Sequence, residues 1–169
     1  PHPPEDGKTG YENAALWLPE IEQEITERTV LDVACGDTYM RPFFTERGWV
    51  YSGIDLFDRG AGILIGDFHF MHPAPSALVF CSHALEHTMF PMFSLFKLFQ
   101  FTMPGGYCMA TVPQFPHGRV DPGHYCVLSD DAWVRQAREV GFRVLDSNVA
   151  KYGGDWMETR LLLKRDLPV

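Results

Sequence analysis

The sequence predicts an α/β fold: a doubly wound, mostly parallel sheet that closes in a C-terminal antiparallel hairpin. Three observations carry this reading. Residues 29–38, TVLDVACGDT, run from an apolar stretch through an acid into a small-residue turn, which suits a strand buried on both faces with a ligand loop at its carboxyl end. Further short apolar runs at 49–55, 63–67, 77–81 and 107–112 alternate with helix-like segments. The last two runs, 142–149 and 159–164, have no helix between them, as expected of a hairpin.

The 169 residues, 46% of them hydrophobic, are enough for one domain with a substantial core. We expect residues 1–10 to be a flexible lead-in and 11–169 to form the single domain. A formal charge of -8 argues against general binding to nucleic-acid backbones. Cys35, Cys81, Cys108 and Cys126 lie far apart without a CxxC pair and read as buried free thiols. Free thiols and the lack of a signal-peptide pattern suit a cytoplasmic setting, although the chain starts at Pro1 without Met. The most apolar stretch, 89–103, contains Lys97 and Gln100 and is shorter than the ~20 residues a membrane span needs, so no membrane span is expected.

Taken in order, residues 12–27 carry Ala15, Leu16, Leu18, Ile21 and Ile25 at helical spacing, interrupted by Pro19. Two short helices, or one that restarts at Pro19, follow from that pattern. After the first strand, residues 39–47 supply Met40, Phe43 and Phe44 for a helix that Gly48 is placed to end. The second and third strands each stop at an acid, Asp55 and Asp67. Only seven residues, 56–62, separate them, too few for the dozen or more of a usual crossover, so the helix between them should be missing or vestigial. The fourth strand, 77–81, leads to a helix from Pro91 whose buried stripe we place on Met92, Leu95, Phe96 and Phe99. Pro104-Gly105-Gly106 reads as a turn into the fifth strand. Ser129 can cap a helix over 130–140, with Gly141 ending it.

An acid at the end of the second strand of such a sheet can accept both hydroxyl hydrogens of a ribose, and Asp55 follows Gly36 by about the ~20 residues that role expects. With this, six segments in order resemble the class I S-adenosylmethionine-dependent methyltransferases, in particular the small-molecule and ubiquinone-biosynthesis-type group. They are VLDVACG (30–36), GID (53–55), GD (66–67), LVFCSHALEH (78–87), PGGY (104–107) and EVGF (139–142). The resemblance implies a Rossmann-like fold and S-adenosylmethionine as cofactor, with S-adenosylhomocysteine as product. It implies that Asp32, Ala34, Cys35 and Gly36 surround the methionine part and that Asp55 holds the ribose, with Leu56 beside the adenine. It also implies Asp67 and Phe68 at the adenine, and Ser82 and His83 on the sulfonium side.

The chain departs from the family at Ala34 and Thr38, where glycines are usual and positive φ is expected. A nicotinamide site fits worse, because the third glycine of GxGxxG would be Tyr39. His83-Ala84-Leu85-Glu86-His87 also matches HxxEH, in which a helix would put two zinc-ligating histidines on one face, with His117 or His124 as third ligand. The segment ends the fourth strand, however, and no metal site is assigned. An oxygen or nitrogen acceptor needs a base near neutral pH, and His87 and His124 are the candidates on the ligand side. His69, His72 and His117 are weaker, and His2 belongs to the lead-in.

The expected function is methyl transfer to oxygen or nitrogen of a small molecule or saccharide. The loop 113–125, with Phe115, His117, Arg119 and Tyr125, is the expected acceptor wall, where Arg119 would attract an anionic acceptor. The alternative is a noncatalytic module on the same fold. Its partner, or a second copy of the chain, would dock on the Phe-rich helix 91–101.

Overall fold

The computed structural model describes residues 6–58, 62–114, 122–151 and 157–168, with side chains from Gly10 onward except that of Tyr11. Seven strands form one sheet: β1 (Thr29–Val33), β2 (Val50–Asp55), β3 (Leu64–Ile65), β4 (Ser76–Ser82), β5 (Thr102–Gln114), β6 (Arg143–Lys151) and β7 (Met157–Lys164). Their order is β3-β2-β1-β4-β5-β7-β6. The first five run parallel, and β7 enters antiparallel between β5 and β6. This is the sheet expected from the sequence, hairpin included.

Alternation along the strands divides the core in two. Val30, Leu78, Phe80, Tyr107 and Met109 face helices α1 (Asp6–Glu24) and α2 (Met40–Thr45). Leu31, Val33, Val79, Cys81 and Cys108 face α3 (Pro91–Phe101) and α4 (Asp130–Glu139). All four cysteines are buried and free, as expected. Ser129 caps α4, its side chain accepting from the Ala132 amide at 3.3 Å.

Several boundaries differ from the sequence reading. Helix α1 begins at Asp6, so the second half of the expected flexible lead-in is helical, and it runs unbroken through Pro19. Burial of Ala14, Trp17, Leu18 and Ile21 against the sheet holds that helix together across the lost hydrogen bond. Chain 102–106 is not a turn before β5 but part of it. Ser76 pairs with Thr102 and Leu78 with Tyr107, so residues 103–106 bulge out of the ladder. Gly106 is needed there, since a Cβ would stand 2.8 Å from the Ala77 carbonyl oxygen.

The buried face of α3 is also rotated from the expected stripe. Ser94, Leu95, Leu98 and Phe101 are buried, whereas Met92, Phe93 and Phe96 are 40–47% exposed. A helix apolar all round gives periodicity no face to choose, and the β4–β5 crossover chooses instead. Among the described residues between β2 and β3 there is no helix, in keeping with the short connection. A 3₁₀ turn at Phe68–Phe70 follows β3.

Candidate functional site

Strand order reverses between β1 and β4, and a crevice at the carboxyl ends of the strands is the expected ligand position. A cleft of about 670 Å³ opens there, within the ~300–1,000 Å³ range of small-molecule sites. Ala34, Asp55, Leu56, Asp67, Phe68 and His83 line it, with His87, Thr88, Met89, Phe90, Phe93 and Tyr125 toward its other end. A second, small cavity of about 90 Å³ lies against Asp32, Cys35, Gly36, Tyr39 and Ser82, and Ala34 lines both. The two spaces thus account for all ten residues that the sequence assigned to the cofactor.

The loop after β1 is built from strained backbone. Ala34, Gly36 and Thr38 have φ of 58°, 51° and 57°. The left-handed conformations expected of glycines are therefore kept at the two positions where glycine is replaced. Such a conformation costs an L-residue ~1–2 kcal/mol, and it persists where the surroundings fix it. Here the Gly36 amide donates to Asp55 Oδ2 at 2.9 Å, the Cys35 amide to the Ile54 carbonyl at 3.0 Å, and the Thr38 amide to the Cys35 carbonyl at 2.9 Å. A Cβ on Gly36 would meet no atom within 4 Å, so the loop presents open space on that side. A Cβ on Gly53 behind it would fall 2.7 Å from Cys35 Sγ and 3.0 Å from Ile63 Cγ2, so these side chains would have to shift.

Asp55 Oδ1 also accepts from the Phe57 amide at 3.1 Å, leaving each carboxylate oxygen a further acceptor site on the cleft side. Asp67 caps the 3₁₀ turn through the His69 amide at 2.9 Å and bonds His69 Nδ1 at 2.7 Å. His69 is sandwiched between Phe68 and Phe93, with ring centroids 4.1 and 5.6 Å away, and its Nε2 meets Ser94 Oγ at 2.8 Å. Asp32 is buried under the loop and accepts from the Tyr51 hydroxyl at 2.6 Å. Burial pushes its carboxyl up to about 7, opposed by the Tyr51 bond and assisted by Asp55. Cys35 is pushed up to about 12, first by burial and then by Asp32 and Asp55, so it is no thiolate nucleophile near neutral pH. The Ser82 hydroxyl is buried with no hydrogen-bond partner among the described residues.

The helical HxxEH pair does not form. His83 has φ of 53°, Leu85–His87 is a 3₁₀ turn, and His83 turns toward β7, where its Nε2 meets Glu158 Oε2 at 3.0 Å. Glu158 is fully buried. Burial works to raise its pKa, but the bonds from His83, Arg160 and Asn13 outweigh it and hold the pKa below the ordinary value. His87 stands 51% exposed at the cleft, its Nδ1 3.0 Å from the Gly123 carbonyl oxygen. The His124 ring lies edge-on to it, 4.6 Å between centroids, and is not among the residues lining the cleft. His72 lies at the opposite end of the sheet, beside Glu27 and Pro75. Phe115, His117, Arg119 and His2 fall outside the described residues. The sequence reading weighed Glu86 only as the base of the HxxEH pattern, and it missed Tyr51, Glu158 and the lining of Thr88, Met89, Phe90 and Phe93. An apolar run after a strand was the one signal for the last group.

A family model described as a methyltransferase domain matches residues 10–147. Solved structures share the fold at low identity. A 1,6-didemethyltoxoflavin-N1-methyltransferase from Burkholderia thailandensis, holding 1,6-didemethyltoxoflavin and S-adenosylhomocysteine, superposes with a TM-score of 0.78 at 14% identity, covering 96% of this chain and 80% of that one. A SAM-dependent methyltransferase from Archaeoglobus fulgidus gives 0.71 at 15%, covering 94% of each chain. The magnesium protoporphyrin IX methyltransferase of Synechocystis with bound SAH gives 0.73 at 11%, covering 95% and 83%. No curated protein matches the sequence.

Proposed function

This chain belongs to the methyltransferase-domain family, and from that premise we propose that it methylates an oxygen or nitrogen atom of a small molecule or saccharide. The enzyme class is S-adenosylmethionine-dependent methyltransferase. The residues present fit that cofactor: a loop open on the Gly36 side, an acid with free acceptor sites at the end of β2, and the unpartnered Ser82 hydroxyl beneath. When bound, the cofactor supplies an electrophilic methyl group on a sulfonium. In this reading Asp55 holds the ribose and also fixes the loop through Gly36. Leu56, Asp67 and Phe68 flank the adenine, while Asp32, Ala34, Cys35 and Gly36 surround the methionine end. Ser82 and His83 lie on the sulfonium side.

The observation that carries the acceptor reading is the continuity of one cleft from Asp55 to His87. Its far end is apolar and aromatic, with Met89, Phe90, Phe93 and Tyr125 beside the His87 imidazole and His69 stacked on Phe93, a lining suited to a small organic acceptor. A carbonyl oxygen only accepts, so the His87 bond to Gly123 puts the proton on Nδ1 and leaves the Nε2 lone pair to take a proton from the acceptor. His124 packs against that ring and positions it. Methyl transfer from labelled S-adenosylmethionine to a panel of hydroxylated and amino-bearing small molecules and sugars tests this. With the acceptor so found, His87→Ala should lower kcat by ~10²–10⁴-fold while S-adenosylhomocysteine affinity stays within about twofold. An undiminished kcat would remove His87 from the chemistry.

A further inference from the structure

We propose that Glu86, His87 and His124 form a binding site for one divalent transition-metal ion, of the Zn²⁺ or Co²⁺ class, at the acceptor end of the cleft. One ligand atom from each of these three side chains lies within 4.8 Å of the other two. Three atoms bound at ~2.1 Å to one tetrahedral ion stand ~3.4 Å apart, so the set closes on an ion if each ligand atom moves inward by up to about 0.8 Å. His87 Nε2 is already 3.9 Å from Glu86 Oε1, and the His87 side chain, half exposed, is free to make that movement.

The surroundings point to a ligand independently of the cluster. The Glu86 side chain is only 2% exposed, and its Oε2 has no hydrogen-bond partner among the described residues. A sealed carboxylate oxygen without a donor is costly, and a cation is one of the few things that satisfies it. The Nδ1–H of His87 donates to the Gly123 carbonyl at 3.0 Å, the outer contact that characteristically orients a metal-binding imidazole and aims its other nitrogen. The backbone ties the two halves of the site together, since the Tyr125 and Cys126 amides donate to the Glu86 carbonyl at 2.8 and 3.0 Å. His124 is thereby held beside a turn 37 residues away in sequence, which loop packing alone does not require. Two imidazole nitrogens and one carboxylate oxygen suit Zn²⁺, Co²⁺ or Mn²⁺ better than the all-oxygen sites of Mg²⁺ or Ca²⁺. Three protein ligands also leave a coordination position open, and His87 puts that side of the site on the cleft.

Binding of the ion does not depend on the methyl-transfer reading, but its use does. With the ion in place His87 Nε2 is a ligand, and an acceptor hydroxyl bound at the open position would lose its proton to solvent instead. That favours oxygen over nitrogen acceptors.

The full chain, stripped with a chelator, should be titrated with Co²⁺ and with Zn²⁺ by calorimetry, and with Co²⁺ by visible absorption. The expected result is one site, with Co²⁺ bands that Zn²⁺ abolishes. Glu86→Gln, which keeps the shape of a buried side chain, and His124→Ala, which leaves the cleft lining intact, should each weaken Co²⁺ binding at least tenfold. The thermal midpoint of the metal-free protein should hold for Glu86→Gln, separating ligand loss from unfolding. No uptake at millimolar metal, or uptake that both variants leave unchanged, overturns the site. Methyl transfer that proceeds only in the metal-free protein would instead overturn the ion's use in the reaction while leaving the His87 base in place.

Discussion

Asp32 carries a titration that belongs to the loop around it. Its carboxyl is sealed beneath Ala34 and Gly36, with burial raising its pKa from the ordinary 3.8 to about 7. In that window the folded protein holds a proton that the unfolded chain has lost. Stability should therefore fall as pH rises from about 4 to 7, by no more than ~1.4 kcal/mol per pH unit. Asp32→Asn should remove that part of the slope in urea unfolding followed from pH 5 to pH 8; an unaltered slope would assign it elsewhere. The neighbouring Ala34 has φ of 58° and an exposed side chain. Ala34→Gly relieves left-handed strain of ~1–2 kcal/mol and returns ~0.4–1 kcal/mol as unfolded-state entropy. Urea unfolding should place it level with the wild type or up to about 1.6 kcal/mol above, and β-branched Ala34→Val clearly below both.

The elements record which sequence signals are decisive. Strands β1, β2 and β4 were legible because each is a short apolar run stopping at an acid or a small polar residue, a pattern that a two-faced buried strand imposes. The cap of α4 was legible for a similar reason: Ser129 followed by Asp130 and Asp131 has one efficient use. Ser129→Ala should cost about 1 kcal/mol in denaturant unfolding. A loss near zero would mean that the 3.3 Å bond is idle. Where the local signal was ambiguous, longer-range packing decided. Helix α3 is apolar on every side, so its buried face was set by the crossover. Pro104-Gly105-Gly106 is turn chemistry that serves a bulge inside β5. The candidate site divides along the same line. Residues adjacent in sequence to strand ends were found, whereas the Tyr51 partner of Asp32 and the Glu158 partner of His83 lie 19 and 75 residues away and carry no local mark.

At the scale of the whole molecule, folding and ligand binding meet through Asn13. This buried side chain of α1 donates to Thr111 Oγ1 on β5 at 2.9 Å and to Glu158 Oε1 on β7 at 3.1 Å, and Glu158 in turn holds His83 at the cleft. The N-terminal helix is thus part of the scaffold behind the site, not a cover added to it. Asn13→Leu removes two buried bonds and should lower the unfolding free energy by ~1–3 kcal/mol. S-adenosylhomocysteine at about 100 times its Kd should add ~2.7 kcal/mol to the wild type by mass action, a rise of roughly 5–10 °C in Tm for a domain of this size. Asn13→Leu should start lower yet gain the same increment at the same multiple of its own Kd. Asp55→Ala, which removes the proposed ribose acceptor and releases the Gly36 and Phe57 amides, should also start lower and gain almost nothing at the wild-type concentration. Thermal unfolding of the three proteins with and without the product separates scaffold from site. An Asp55→Ala protein that gains the full increment would show that the end of β2 does not hold the ligand.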